Sequence, residues 1–87
     1  MVRIKFVGAS PLVKGSRTVS IAVDRELIVH ELLRFLGEQL AIDDLEEQVR
    51  GSYMVVVNGT SISHLQGWET RVQDGSVVTI VSPIAGG

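Results

Sequence analysis

The spacing of hydrophobic positions changes twice along the chain. Val2, Ile4 and Phe6 alternate with Arg3 and Lys5, and Val19, Ile21 and Val23 alternate with Thr18, Ser20 and Ala22. A period of two built on β-branched and aromatic residues predicts half-buried strands over 2–7 and 17–23. Residues 8–15 hold glycine, serine and proline and read as a loop, so the two strands form most simply an antiparallel hairpin. The period then lengthens. Ile28, Leu32, Leu33, Leu36 and Leu40 lie on one stripe of a helix over 29–40, with Arg34 and Glu38 on its polar side. The helix start is weakly marked, because Ile28 stands at the cap position without a side-chain oxygen. Asp43, Asp44, Glu46 and Glu47, set around Leu45 and Val49, predict a short acidic helical turn that Gly51-Ser52 ends.

Residues 53–57 are almost wholly apolar and are closed by Asn58-Gly59, a strong tight-turn signal. A short return strand near Ser61 and Ile62 completes that hairpin. A loop with His64, Gly67 and Trp68 leads to a second turn at Asp74-Gly75, and residues 77–81 make the last strand. Ser82-Pro83-Ile84-Ala85-Gly86-Gly87 follows, with Ser82 biased to extended backbone by the proline after it. The order strand, strand, helix, short helix, strand, strand, strand predicts an α+β domain, a mixed sheet of four to five strands packed against one main helix. The predicted division is a folded domain over 1–82 and a flexible diglycine tail over 83–87. If Val55 and Val57 point inward beside Val78 and Ile80, then Met54, Val56, Thr79 and Val81 occupy the opposite sheet face. Two strands apolar on both faces exceed what one helix covers. That second face is therefore a candidate partner-binding surface, the alternative being that a loop or the short helix covers it.

Composition narrows the function. Eighty-seven residues make one small domain with a limited core, and 45% hydrophobic with 21% charged residues is the balance of a soluble globular protein. Eight basic residues against ten acidic ones leave a net charge of -2, where a generic nucleic-acid binder carries a basic surplus. No apolar run reaches the roughly 18 residues of a membrane span, no secretory leader is read, and a cytoplasmic location is expected. With no cysteine there is no disulfide, thiolate metal site or cysteine nucleophile. His30 and His64 lie far apart in sequence and read as surface or structural histidines, and the acidic run at 43–47 reads as a solvated face. Neither a catalytic residue nor a metal site is predicted, no bound cofactor is expected, and the chain is not read as an enzyme.

The end of the chain is different. A terminal Gly-Gly arises by chance in about one chain in two hundred. Here it follows an extended Ser-Pro-Ile-Ala segment directly after a strand. A chain end without Cβ atoms can thread a narrow partner site, which makes the α-carboxylate of Gly87 the candidate reacting group.

With Val-Asn-Gly at 57–59, Val-Gln-Asp-Gly at 72–75 and a closing Pro-Ile-Ala-Gly-Gly, the chain resembles the ubiquitin-like β-grasp sulfur carriers of the MoaD/ThiS family. That family includes the small subunit of molybdopterin synthase, the thiamine sulfur carrier and the archaeal small modifier proteins. Its members commonly carry an aromatic and two prolines before the tail, where Val81-Ser82-Pro83 stands here. The resemblance implies a β-grasp fold and a terminus adenylated at Gly87 by a ubiquitin-activating-like adenylyltransferase that consumes ATP. A sulfur donor protein then converts the adenylate to a thiocarboxylate for molybdopterin, thiamine or tRNA thiolation. It also implies that Ile84, Ala85 and Gly86 thread the partner's site and that Met54, Val56, Thr79 and Val81 dock. The molybdopterin synthase large subunit is a further implied partner. Two alternatives stay open: a modifier joined through Gly87 to lysines of target proteins, and a non-covalent interaction domain.

Overall fold

The computed structural model describes residues 1–8 and 17–82. Strand β1 (Val2–Val7) lies between β2 (Arg17–Ile21), antiparallel to it, and β7 (Val77–Val81), parallel to it. Strand β4 (Met54–Val57) pairs antiparallel with β7 on its other side and with the two-residue β5 (Thr60–Ser61) at the far edge. The five-stranded order is β2-β1-β7-β4-β5. Two further short strands, β3 (Leu27–Ile28) and β6 (Arg71–Val72), form a separate antiparallel ribbon. The mixed sheet of the sequence reading is present, and the ribbon is an addition to it.

Alternation builds the core. Val2, Ile4 and Phe6 of β1, Val55 and Val57 of β4, and Val78 and Ile80 of β7 are all buried against the helices. Helix α1 (Val29–Leu40) contributes Val29, Leu32, Leu33 and Leu36, and α2 (Leu45–Ser52) contributes Leu45 and Val49. The helical stripe follows the predicted seam at Leu32, Leu33 and Leu36, all fully buried, with Leu40 half-buried against the core; it differs at the start, where Val29 is fully buried and Ile28 half-buried. Ile28 is diverted into the β3 ribbon, so the first helical residue to face the core is the next one.

The cap that Ile28 cannot supply comes from elsewhere. Its backbone N–H donates to Oε1 of Glu31 at 3.2 Å, and the N–H of Val29 donates to the Thr70 carbonyl at 2.9 Å. The bond from Ile28, with help from nearby Arg25, holds the Glu31 carboxyl below its ordinary value. At the other end Ala41 adopts φ 54°, with Ile42 N–H bonded to the Gly37 carbonyl and Ala41 N–H to that of Glu38. This is the Schellman closure, here made by an alanine. A Cβ at Gly37 would lie 3.2 Å from both the Ile42 carbonyl oxygen and the Leu45 Cβ, so the glycine is what lets α2 approach α1.

Turn chemistry fixes the second hairpin. Asn58 and Gly59 both have positive φ, 49° and 88°, as a two-residue hairpin turn with right-handed twist requires. The Asn58 side chain accepts from the Val77 N–H at 2.8 Å and its own N–H donates to the Val77 carbonyl, so the turn also anchors the start of β7.

Candidate functional site

Outward positions of the sheet assemble in rows. Val81 is the register partner of both Val7 and Met54, so these three residues form one apolar row across β1, β7 and β4. Thr79 is flanked in the same way by Lys5 and Val56, and Val77 by Arg3. Met54 and Val7 are 55% and 38% exposed, while Val56, Thr79 and Val81 are half-buried by their cross-strand neighbours. The four residues assigned to a docking face from sequence are thus brought together, and neither α1 nor α2 lies over them: both helices pack on the other side, where Leu36 and Val49 are buried.

The face is graded. Its apolar row lies where β7 ends, and Arg3 and Lys5 lie away from that end, with no carboxylate among the outward residues of β1, β2, β4 and β7. An acidic chain therefore presents a face that is apolar and basic. Val7, Arg3 and Lys5 were not assigned to it from sequence. Their alternation was visible, but the parallel pairing of β1 with β7 joins residues more than seventy positions apart.

The sheet is paired up to the last residue described at this end. Ser82 is buried, and its N–H donates to the Val7 carbonyl at 3.0 Å. Whatever follows Ser82 starts from a fixed point beside the apolar row. Ile84, Ala85, Gly86 and Gly87, the predicted threading and attachment residues, lie outside the described residues.

The other candidate chemistry resolves into structure. His64 is exposed in a short 3-10 turn. His30 Nδ1 on α1 contacts Glu46 on α2, and Arg50 donates to the same carboxylate oxygen at 2.9 Å while its guanidinium lies 4.8 Å from the centre of the Trp68 ring. Burial alone would raise the Glu46 carboxyl, but the hydrogen bonds and charges of His30 and Arg50 outweigh it and hold the group below its ordinary value. Glu46 is therefore a tie between helices, whereas Asp43, Asp44 and Glu47 remain exposed around a depression of about 400 Å³. Among the described residues no group of three His, Cys, Asp or Glu is placed to hold a metal ion, and no helix is long and apolar enough to cross a membrane.

Residues 4–87 match the model of the ThiS family. The chain is 31% identical to small archaeal modifier protein 3 of Haloferax volcanii over 88 residues, covering 97% of this chain and 96% of that protein. Among solved structures it is similar to small archaeal modifier protein 1 from Methanosarcina acetivorans, with a TM-score of 0.63 and 22% identity over 99% of this chain and 95% of that one. It is also similar to a chain in the complex of subunits 1 and 2 of the molybdopterin-converting factor from Helicobacter pylori, with a TM-score of 0.57 and 20% identity over 99% and 97% of the two chains. At such identities the structures speak to the fold, which is β-grasp.

Proposed function

The chain belongs to the ThiS family, and we propose that it acts as a carrier whose reacting group is the α-carboxylate of Gly87. The observation that carries this reading is the placement of Ser82: the strand leading to the diglycine is paired through Ser82, next to an apolar row that neither helix covers. A partner that covers Val81 and Met54 would receive the remaining residues in a defined direction. Glycines at the end would let the backbone pass close to the walls of its site.

A carboxylate is a poor electrophile because its leaving group would be oxide. An activating partner removes that barrier: a Gly87 carboxylate oxygen attacks the α-phosphorus of ATP, and pyrophosphate leaves. The resulting acyl-adenylate has AMP as its leaving group. A persulfide carried by a donor protein attacks the carbonyl carbon with its terminal sulfur and expels AMP, giving an acyl disulfide. A thiol of the partner then attacks the inner sulfur, forms a disulfide with the donor, and leaves the outer sulfur on Gly87 as a thiocarboxylate. The chain itself supplies no cysteine and needs none. It is the protein substrate of these steps, and ATP is bound and consumed by the partner. Molybdopterin synthesis, thiamine synthesis and tRNA thiolation are the candidate sulfur destinations.

The test is ATP–pyrophosphate exchange with the activating enzyme of the same cells. Deleting Gly86 and Gly87 should abolish exchange and leave the melting curve unchanged, and undiminished exchange would sink the mechanism. Mass spectrometry of the protein from its own cells should show the gain of sulfur replacing oxygen at the terminus. A second reading is favoured by the name of the 31% identical relative, a modifier. In it a lysine amine of another protein takes the acyl group from the same intermediate, and a Gly-Gly remnant on target lysines reports it.

A further inference from the structure

The two edges of the main sheet are built differently. Strand β5 is two residues long, whereas β2 runs for five, carries no proline or lysine, and pairs with β1 without a bulge. An exposed edge of that length is normally blunted by one of those devices. Which backbone groups β2 leaves open follows from its neighbour. Arg3 N–H donates to the Ser76 carbonyl and the Val7 carbonyl accepts from Ser82 N–H, so the odd residues of β1 turn their amide groups toward β7. Val2, Ile4 and Phe6 therefore turn theirs toward β2 and bond their register partners Ile21, Val19 and Arg17. Thr18 and Ser20 are left with N–H and C=O directed away from β1, and among the described residues no strand lies on that side.

We propose that this edge pairs with the same edge of a second copy, antiparallel about a two-fold axis at Val19. The strand is complementary to itself. In the register that pairs all five residues, Thr18 meets Ser20 of the other copy. The open donors and acceptors then satisfy each other, and the two hydroxyl side chains stand opposite one another. Val19 meets Val19 on the helix side of the sheet, where each is only half-buried in a single copy. Arg17 meets Ile21 and not another Arg17. Beyond Ile21 lies Asp24, and both Arg17 and Asp24 are exposed without an ion pair among the described residues. The two-fold thus brings each Arg17 toward the other copy's Asp24, beside a depression of about 170 Å³ that Phe35, 38% exposed, helps to line.

The paired area is small, which makes the complex a weak and exchanging one. It also leaves the proposed carrier role untouched. The row of Val81 and Met54 lies on β7 and β4, on the far side of β1 from the paired edge. Each copy therefore keeps its own outer row open to a partner, and the pairing does not depend on activation of Gly87.

The test is sedimentation equilibrium of the full chain from micromolar to millimolar concentration, with amide hydrogen exchange followed by NMR at both ends of that range. Apparent mass should rise toward twice that of the chain, and exchange at Thr18 and Ser20 should slow with concentration. A constant monomer mass, or slowing confined to residues outside β2, would overturn the proposal. Thr18→Pro removes an outward N–H without touching the ladder to β1, so it should keep the parental melting curve and weaken association at least tenfold. Association as strong as the parent's would mean that copies meet elsewhere. Should that variant melt early, Val19→Cys decides, because the chain has no other cysteine and facing Cα atoms about 4.5 Å apart suit a disulfide. In a glutathione buffer Val19→Cys should form a covalent dimer far faster than Thr60→Cys on the opposite edge, and equal rates would reject the two-fold pairing.

Discussion

The two faces of β4 and β7 are built from the same kinds of residue and meet opposite surroundings. Inward Val55, Val57, Val78 and Ile80 are no more than 5% exposed, whereas outward Met54 is 55% exposed and Val56, Thr79 and Val81 keep part of their surface in water. Inward apolarity is explained by folding, since each such side chain gains roughly 1.5–3 kcal/mol from full burial. Outward apolarity adds much less to the isolated domain. It gains its full value only when a second molecule covers it, and the row lies where the chain leaves the sheet toward Gly87. One strand thus meets two surroundings through a period of two: even positions of 77–81 face the core, and odd positions face outward, where the proposed partner would cover them.

The comparison can be broken most severely from the inside. Ile80→Asp puts an unpaired carboxylate where 1% of the surface reaches water. A domain of this size holds about 4–13 kcal/mol in total, and an unpaired buried charge costs several. The variant should show no cooperative melt in circular dichroism; a native-like melt would mean that the faces are reversed. Leu36→Ala, on the helix that covers the inner face, should cost about 2–5 kcal/mol and lower the denaturant midpoint accordingly. An unchanged midpoint would show that α1 does not seal that face.

Glu46 sharpens the contrast at smaller amplitude, because it fastens α2 to α1 on the covered side. Its folded-state pKa lies below the unfolded value, so its contribution is complete above the ordinary carboxylate range and is lost as the pH falls through the folded value. Thermal melts of the wild type should therefore lose stability on acidification below about pH 4.5 more steeply than those of Glu46→Gln. Parallel curves for the two proteins would mean that the carboxylate is not coupled to folding.

What was legible in the sequence follows from which contacts are local. Period two placed Met54, Val56, Thr79 and Val81 on one face, because within a strand a side chain's direction depends only on its parity. Asn58-Gly59 marked its turn for an equally local reason, two consecutive positive φ angles. The β3–β6 ribbon was not legible: two residues carry no periodicity, and Leu27 meets Val72 across the whole second half of the domain. Glu46 read as one more charge in an acidic run, since its partner His30 lies sixteen residues away on another helix. The basic half of the outer sheet face was hidden in the same way, behind the long-range pairing of β1 with β7.

The central claim is that the outer face of β4 and β7 serves activation of Gly87 and not folding. ATP–pyrophosphate exchange on Val81→Asp, measured beside its melting curve, addresses it directly. The new carboxylate stands on the outward row, where water solvates it in the free protein and a docked partner would strip that water away. The melting temperature should stay close to that of the parent, and exchange should fall at least tenfold, a loss of about 1.4 kcal/mol in partner binding or transition-state stabilisation. A folded variant that is exchanged at the parental rate would contradict the claim.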